Sequence, residues 1–488
     1  MAFARRLRAL KGSSHSSGNA RALGIPFGAS KGFIGFGGRG RQRGEIGPTK
    51  LEEGLGDWRR THYSVQVTPS EDGKKATVFG WVSSIRTQGG IVFIMLTDRD
   101  GNLQVTVNKG KASKTTLAKV EELKLHSSIG VRGVVKAMAK APNGAEIVPD
   151  EIKVLSLATE APSFSVYGGE TPSLDKRLDI RAVDLRREKA QAIFKIQREV
   201  LSSVREFLSG AGYLEVRTPK LISTATEGGA SLFSVLYYNR PSFLAQSPQL
   251  YKEELVLPFE KVYEIGPAFR AEESRTQRHL SEITSIDIEE AFVDYNDVMD
   301  TLEALIRHVM KSVKESCSKD LDKLGRQGLV QTERFERLKY TDAVKWLAEK
   351  GEGLTWGEDL TGPATERLGK EHPGFYFITD WPTQTKPFYI KPEEDEPKLS
   401  ESFDLMHGPL ELASGGSRVS SKSLLVKRPK EQKLKPQAFE HHLKVFDYGM
   451  PPHAGFGLGM ERLTMVLAGE ENIREVTLYP RDKLRLVP

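Results

Sequence analysis

Cysteine is almost missing. Cys317 is the one thiol in 488 residues, which excludes a disulfide framework and any zinc site built on paired cysteines, and points to a reducing compartment. Long apolar runs are missing too. No stretch approaches the ~20 consecutive apolar residues that cross a bilayer, so the chain reads as soluble, with no membrane partner. Acid is absent only from the beginning: residues 1–44 hold nine Lys or Arg and no Asp or Glu, and Glu45 is the first carboxylate. Rich in Gly and Ser, this stretch cannot bury enough apolar surface to offset its ordering entropy. Residues 1–58 therefore read as a basic, disordered extension. An Arg-rich, Ser-containing, acid-free start is the composition of an organelle transit peptide, and a solvated tail that holds RNA loosely has the same composition. The expected compartment is the cytoplasm, with a mitochondrial or plastid destination as the alternative. Over the whole chain, 71 Lys and Arg against 65 Asp and Glu leave a formal charge of +6, which fits a polyanionic partner without requiring one.

The length allows two or three domains, each with its own core. Short strands are expected at residues 77–82, 92–97, 103–107, 129–135 and 151–155, separated by the turn sequences Gln88-Gly89-Gly90, Asp98-Arg99-Asp100-Gly101 and Pro142-Asn143-Gly144. A helical stretch at 114–125 falls between the third and fourth strands. Five strands with a helix after the third is the pattern of an OB-fold, a small barrel with an oligonucleotide-binding face, although other five-strand barrels share it. Residues 158–188, with Pro162, Gly168, Gly169 and Pro172, read as a hinge after a barrel domain at 59–157. A helix follows, with Ile193, Ile196, Val200, Val204 and Phe207 at helical spacing and Gly210 and Gly212 ending it. Strands and helices then alternate to the end, a mixed domain at 189–488.

Two segments carry the chemistry. The first is Phe269-Arg270-Ala271-Glu272-Glu273, with Arg278-His279-Leu280 and Asp287-Ile288-Glu289 after it. Strands on either side make this a hairpin, and Arg270 would present a planar, permanently charged fork to a phosphate. The loop at 274–277 would close over ATP or a nucleic-acid end. A solvated charged hairpin is the plain alternative. The second segment is Gly455-Phe456-Gly457-Leu458-Gly459-Met460-Glu461-Arg462-Leu463. Its glycines look like a GxGxxG loop, but the flanking unit of a dinucleotide site is missing. Glycine permits close approach of a ligand, and Arg462 in the first helical turn would point toward it. A tight strand-to-helix turn explains the same residues.

Together these segments resemble motifs 2 and 3 of the class II aminoacyl-tRNA synthetases. Motif 1, the dimer interface of that family, would be the helix at 191–208 with the strand ending at Thr218-Pro219. In detail the chain resembles the archaeal-type branch of the aspartyl-tRNA synthetases, through Thr61-His62-Tyr63-Ser64, Thr226-Glu227-Gly228-Gly229, Gln246-Ser247-Pro248-Gln249-Leu250-Tyr251-Lys252 and Tyr479-Pro480-Arg481-Asp482. The resemblance covers residues 59–488. It implies an α+β fold, an N-terminal OB-fold barrel joined to an antiparallel sheet flanked by helices. It also implies a homodimer, ATP as substrate, Mg2+ as cofactor, and L-aspartate and tRNA(Asp) as partners, with tRNA(Asn) a second acceptor.

The resemblance extends to residues. Arg270 would bridge the α-phosphate and the attacking carboxylate, Arg462 would hold the γ-phosphate, and Glu272, Arg278, His279, Leu280 and Gly459 would complete the ATP site. Glu411 and Ser414 match the metal-binding acid and hydroxyl. Lys252 and Arg418 match the two cations for the substrate β-carboxylate, with Asp287 holding them or the ligand ammonium. Glu227, Ser247 and Gln249 match contacts to that ammonium or to the loop over it. Without these neighbours, Lys252 beside Glu253 and Glu254 would read as a surface lysine on a helix. The related asparaginyl enzymes place an apolar residue where Lys252 stands and Glu at position 287, so asparagine is expected to be the poorer substrate.

In the barrel, Phe93 matches the aromatic that stacks on an anticodon base, with Arg86 and Gln104 as readers of its edge, although spacing alone places Phe93 in the core. Selectivity between tRNA(Asp) and tRNA(Asn) in such enzymes tracks two positions that align with Ser83 and Pro142, where strict members carry tryptophan and lysine. Neither residue here supplies that contact, so a non-discriminating enzyme is expected. The competing readings are an asparaginyl-tRNA synthetase, an amide ligase that ignores tRNA, and an inactive RNA-binding paralogue.

Overall fold

A computed structural model describes residues 51–223, 232–272, 275–328, 334–432, 434 and 439–488. The basic stretch up to residue 50 lies outside them, as does Glu227. Two compact units divide between Ala158 and Thr159.

In the first unit, β1 (Lys75–Gln88), β2 (Ile91–Thr97), β3 (Asn102–Asn108), β4 (Ser128–Ala137) and β5 (Ala145–Ser156) close a barrel in the order β1-β2-β3-β5-β4. The helix Lys114–Glu122 sits between β3 and β4, its N-terminus capped by the Ser113 side chain. Alternate residues face inward, so Val92, Ile94 and Leu96 meet Leu103, Val105 and Val107 in the core. β5 starts at Ala145, well before the expected residue 151. Pro149 obscures the strand in the sequence, yet it stands opposite Gly133 at an irregularity in the β4–β5 ladder, where a residue without an N–H is tolerated. Residues 51–58, grouped with the extension by composition, pack on this barrel. The Glu53 N–H donates to the Val154 carbonyl at 2.8 Å, and Trp58 is buried with the Arg132 guanidinium 4.6 Å from its ring centre.

The second unit contains β6 (Leu214–Glu215), β7 (Leu221–Ile222), β8 (Ser234–Tyr237), β9 (Arg240–Leu244), β10 (Lys261–Phe269), β11 (Glu282–Ala291), β12 (Glu336–Lys339), β13 (Phe375–Thr379), β14 (Ser402–His407), β15 (Leu410–Ser417) and β16 (His453–Gly459). Eight of these form one sheet, β12-β13-β14-β15-β16-β11-β10-β6. It is antiparallel from β13 to β10, whereas both edge strands pair in parallel. Strands β7, β9 and β8 make a small separate sheet.

Helices Glu188–Gly210, Tyr295–Ser316 and Met460–Ala468 cover one face, where Val200, Leu302, Val309 and Leu463 pack on Ile286, Ile288, Phe403 and Leu458. The end of the segment read as a hinge belongs to this unit. Arg181 is buried against Asp184 at 2.6 Å and donates to the carbonyls of Arg474, Glu475, Thr477 and Leu478. Because β11 sends Ile286 and Ile288 toward the helices, the strand period of two turns Ser285, Asp287 and Glu289 to the opposite face. That face carries the site.

Candidate active site

Directly across from Ser285, Asp287 and Glu289 stand Gly459, Gly457 and Gly455 of β16. The glycines read from the sequence as a loop are therefore in a central strand. They leave room for the side chains opposite: a Cβ on Gly455 would collide with the Ile288 carbonyl and the Glu289 carboxylate, and one on Gly457 would lie 3.2 Å from Asp287 Oδ1. On the next strand, Ser414 and Gly416 of β15 continue the same rows. The result is a trough of about 300 Å3 across three strands, lined also by Gln246, Ser247 and Gln249 at the start of the helix Gln249–Phe259.

Its floor is charged and buried. Lys252 is 2% exposed, its ammonium 2.9 Å from Asp287 Oδ1 and 3.5 Å from Glu289 Oε2, and it donates to the Phe456 carbonyl at 3.1 Å. It is not the surface lysine that its acidic neighbours suggest. Nor does it line the trough, because Asp287 stands in front of it. Arg418, equally buried, does line it, and donates through Nε and Nη2 to Glu289 at 2.9 and 3.2 Å. Burial alone would lower the pKa of this guanidinium, but Glu289 raises it above the ordinary arginine value. Glu289 was not assigned a role from sequence, and neither was Gln246. Gln246 is fully buried, lines the trough, and has no hydrogen-bond partner for its amide among the described residues. A buried amide beside a cavity is costly unless it finds a partner.

The other end gathers the residues expected at ATP. Arg270 follows β10, with its backbone N–H bonded to Ser281. Arg462, Glu411, Glu272 and His279 surround the same space, together with Leu280 and Gly459. Arg462 donates to the Glu411 carbonyl at 2.8 Å, with the Glu411 carboxylate 3.7 Å away. Burial and the Arg462 charge lower the His279 pKa, which keeps it a neutral hydrogen-bonding group. Arg278 reaches outward to Glu366 and the Pro409 carbonyl. The loop expected to close over the ligand is docked at its far end, where Gln277 and Thr276 carbonyls accept from Ile473 N and Arg474 Nη1. Asp404, missed in the sequence, lies opposite Ser414 on β14. Burial raises its pKa although Lys386 bonds both its oxygens.

In the barrel, Phe93 is half-exposed on the outer face, cross-strand from Arg86 and Thr106, so its expected place in the core is corrected. Gln104 is on the same face and donates to Glu146 at 2.7 Å. Ser83 is not with them. A bulge between Val82 and Ser84 turns it inward, and its hydroxyl donates to the Met95 carbonyl. Pro142 opens the turn Pro142–Gly144 before β5, anchored by Asn143 to the Asn102 and Ser64 carbonyls.

The family described as tRNA synthetases class II (D, K and N) matches residues 173–483, and an OB-fold nucleic acid binding domain matches 76–155. The chain belongs to the class II tRNA synthetases. Among relatives of this family, the aspartate–tRNA(Asp/Asn) ligase of Methanothermobacter thermautotrophicus is 48% identical over 435 residues, covering 89% of this chain and all of the relative. The corresponding ligase of Archaeoglobus fulgidus is 49% identical over 427 residues, 87% of this chain and 99% of that one. The asparaginyl-tRNA synthetase of Pyrococcus horikoshii, solved with asparaginyl-adenylate, superposes with a TM-score of 0.84 at 33% identity, covering 88% of this chain and 100% of its own. The α+β architecture of barrel plus synthetase sheet expected from sequence is thus the architecture of the family.

Proposed function

We propose that this synthetase activates L-aspartate with ATP and transfers it to tRNA(Asp), and to tRNA(Asn) as well. The observation that carries the reading is the trough floor, where Lys252 and Arg418 are buried behind and beside the place for an amino-acid side chain. Glu289 uses Nε and Nη2 of Arg418, leaving Nη1 for a ligand carboxylate. An amide there brings no negative charge to the guanidinium and adds N–H donors of its own beside Arg418, and polar groups left without an acceptor discriminate against it. The names of the archaeal relatives support the same reading.

In the first step the aspartate α-carboxylate attacks the α-phosphorus of ATP and pyrophosphate leaves. In the second, a 3′-terminal hydroxyl of tRNA attacks the resulting anhydride and AMP leaves. Positioning and charge neutralisation carry most of the first step. Arg270 neutralises the α-phosphate as the carboxylate approaches, Arg462 holds the distal phosphates, and Gln246, Ser247 and Gln249 orient the amino acid. Asp404, Glu411 and Ser414 are oxygen donors on adjoining strands, a set suited to Mg2+, which takes one or two carboxylates and completes its shell with phosphates and water. When bound there, the ion supplies charge neutralisation to the phosphates.

A homodimer through the helix Glu188–Gly210 belongs to this reading, since Phe194 and Leu201 line an open groove along it. So does a cytoplasmic location. No described helix is long and apolar enough to cross a membrane. ATP–pyrophosphate exchange run with aspartate and with asparagine is the test. Exchange driven by aspartate supports the assignment, and exchange driven by asparagine alone overturns it.

A further inference from the structure

Among the described residues, Asp287, Glu289 and Glu253 are buried together at the amino-acid end of the trough, and two of the three have a Lys or Arg partner. Asp287 has Lys252, and Glu289 has Arg418. The third, Glu253, sits one turn into the helix Gln249–Phe259 with no exposed surface. Its Oε1 accepts from Gln249 Nε2 at 2.6 Å. Its Oε2 is 3.5 Å from His442 Nε2 and 3.6 Å from His453 Nε2, and both rings are buried.

The far sides of the rings define the near sides. His453 Nδ1 is 2.8 Å from the Pro451 carbonyl, and His442 Nδ1 is 3.1 Å from Glu254 Oε1. Each partner can only accept, so each Nδ1 carries hydrogen. In a neutral ring the Nε2 lone pair would then face the Glu253 carboxylate, which is repulsive. Protonation of His442 removes the conflict at that ring and supplies the missing charge. Burial lowers the His442 pKa, but Glu253 and Glu254 outweigh it and push it up to about 9. The same contacts hold Glu253 well below the ordinary carboxylate range. The other charges around the unit are Arg418, just after β15, which Glu253 helps keep ionised, and beyond it Glu289 and Lys252. The Phe446 ring closes the remaining side of His442.

We propose that His442, Glu253 and His453 form a buried positioning unit for amino-acid recognition, holding Gln249 and Arg418 in place only while a ring proton is present. Gln249 is held through its bond to Glu253. Arg418 is held through its backbone N–H, which donates to the His453 carbonyl at 2.8 Å. Both line the trough. At the ATP end, Arg462 and Glu411 brace each other instead.

The inference rests on aspartate being the amino acid bound, and the sign of its pH dependence follows. The His442 proton, gained on folding, is present through neutral pH and lost as pH rises through about 9. ATP–pyrophosphate exchange is measured from pH 7 to 10 on wild type, His442→Gln and His442→Ala. Glutamine keeps an N–H donor and has no proton to lose. Titration of the substrate ammonium affects all three proteins alike. The aspartate KM of wild type should rise above pH 9 by about tenfold relative to His442→Gln, one decade for ~1.4 kcal/mol. His442→Ala should raise the aspartate KM about tenfold already at pH 7.5, with the ATP KM within about twofold, and glutamine should restore most of it. Coinciding pH profiles for wild type and His442→Gln, or equal rises in both Michaelis constants, overturn the inference. Wild type without any aspartate-dependent exchange overturns the substrate assignment and this inference with it.

Discussion

Replacing Lys252 by leucine separates recognition from stability at the trough floor. The ammonium is 2% exposed and faces Asp287 at 2.9 Å and Glu289 at 3.5 Å. Its removal leaves two buried carboxylates sharing one guanidinium, that of Arg418. Breaking a buried pair by deleting one partner costs about 3–5 kcal/mol, since the other charge stays buried. At an unfolding entropy of about 2.1 cal/mol/K per residue, the unit Thr159–Pro488 shifts by roughly 1.4 °C per kcal/mol, so the melting temperature should fall by about 4–7 °C. Lys252 stands behind Asp287, so its effect on substrate is indirect: the pocket becomes one charge more negative where a carboxylate must bind. The aspartate KM should rise about 10- to 100-fold, ~1.4–2.8 kcal/mol, with the ATP KM within about threefold. Calorimetry and ATP–pyrophosphate exchange measure the two effects. In Lys252→Leu with Asp287→Asn, the orphaned charge is gone, so much of the lost stability should return while aspartate binding does not. A single variant melting within about 2 °C of wild type with an unchanged aspartate KM would refute the buried-charge account. Equal rises for both substrates would make Lys252 a structural prop.

Arg270→Ala and Arg462→Ala should each lower exchange by about 100- to 1,000-fold, the cost of losing a preorganised contact to developing charge, with circular dichroism unchanged. Either variant at full activity removes that arginine from the mechanism. Phe93→Ala should raise the tRNA KM by about tenfold, since stacking is worth ~1–3 kcal/mol per base, and leave exchange untouched. An unchanged tRNA KM would show that this face does not read RNA. Charging of tRNA(Asp) and tRNA(Asn) transcripts should agree within about tenfold in efficiency, ~1.4 kcal/mol. Ser83 is turned inward and Pro142 has neither a charge nor an N–H to offer the third anticodon base. A preference for tRNA(Asp) above about a hundredfold would mean that other groups restore discrimination.

The barrel was legible because five short apolar runs and three turn sequences leave few ways to close, and Arg270, Asp287, Glu411 and Arg462, which fall in characteristic local strings, are brought to one trough. What failed was phase. Residues 91–97 are apolar at nearly every position, so the sequence alone does not say which side is inside. Closure of the barrel decides it, burying Val92, Ile94 and Leu96 and leaving Phe93 out. At Ser83 one extra residue in β1 reverses the faces, and a one-residue slip moves a side chain from one side of a sheet to the other.

The glycines of β16 show a second kind of failure. Alternate glycines look like a loop because glycine weakens a strand, yet Gly455 and Gly457 lie where a Cβ would crowd Glu289 and Asp287. Their reason is across the ladder, some 170 residues earlier in the chain. The same distance hides Glu253, His442 and His453, which come from two helices and a strand and share no local string. In the sequence, Glu253 is one of two acids on a helix. Burial beside two rings whose outer nitrogens are already committed gives it a charge to hold and a proton to keep. Recognition of an anionic side chain thus depends on groups that touch no ligand: the pocket can present Arg418 only if every carboxylate beneath it is already matched.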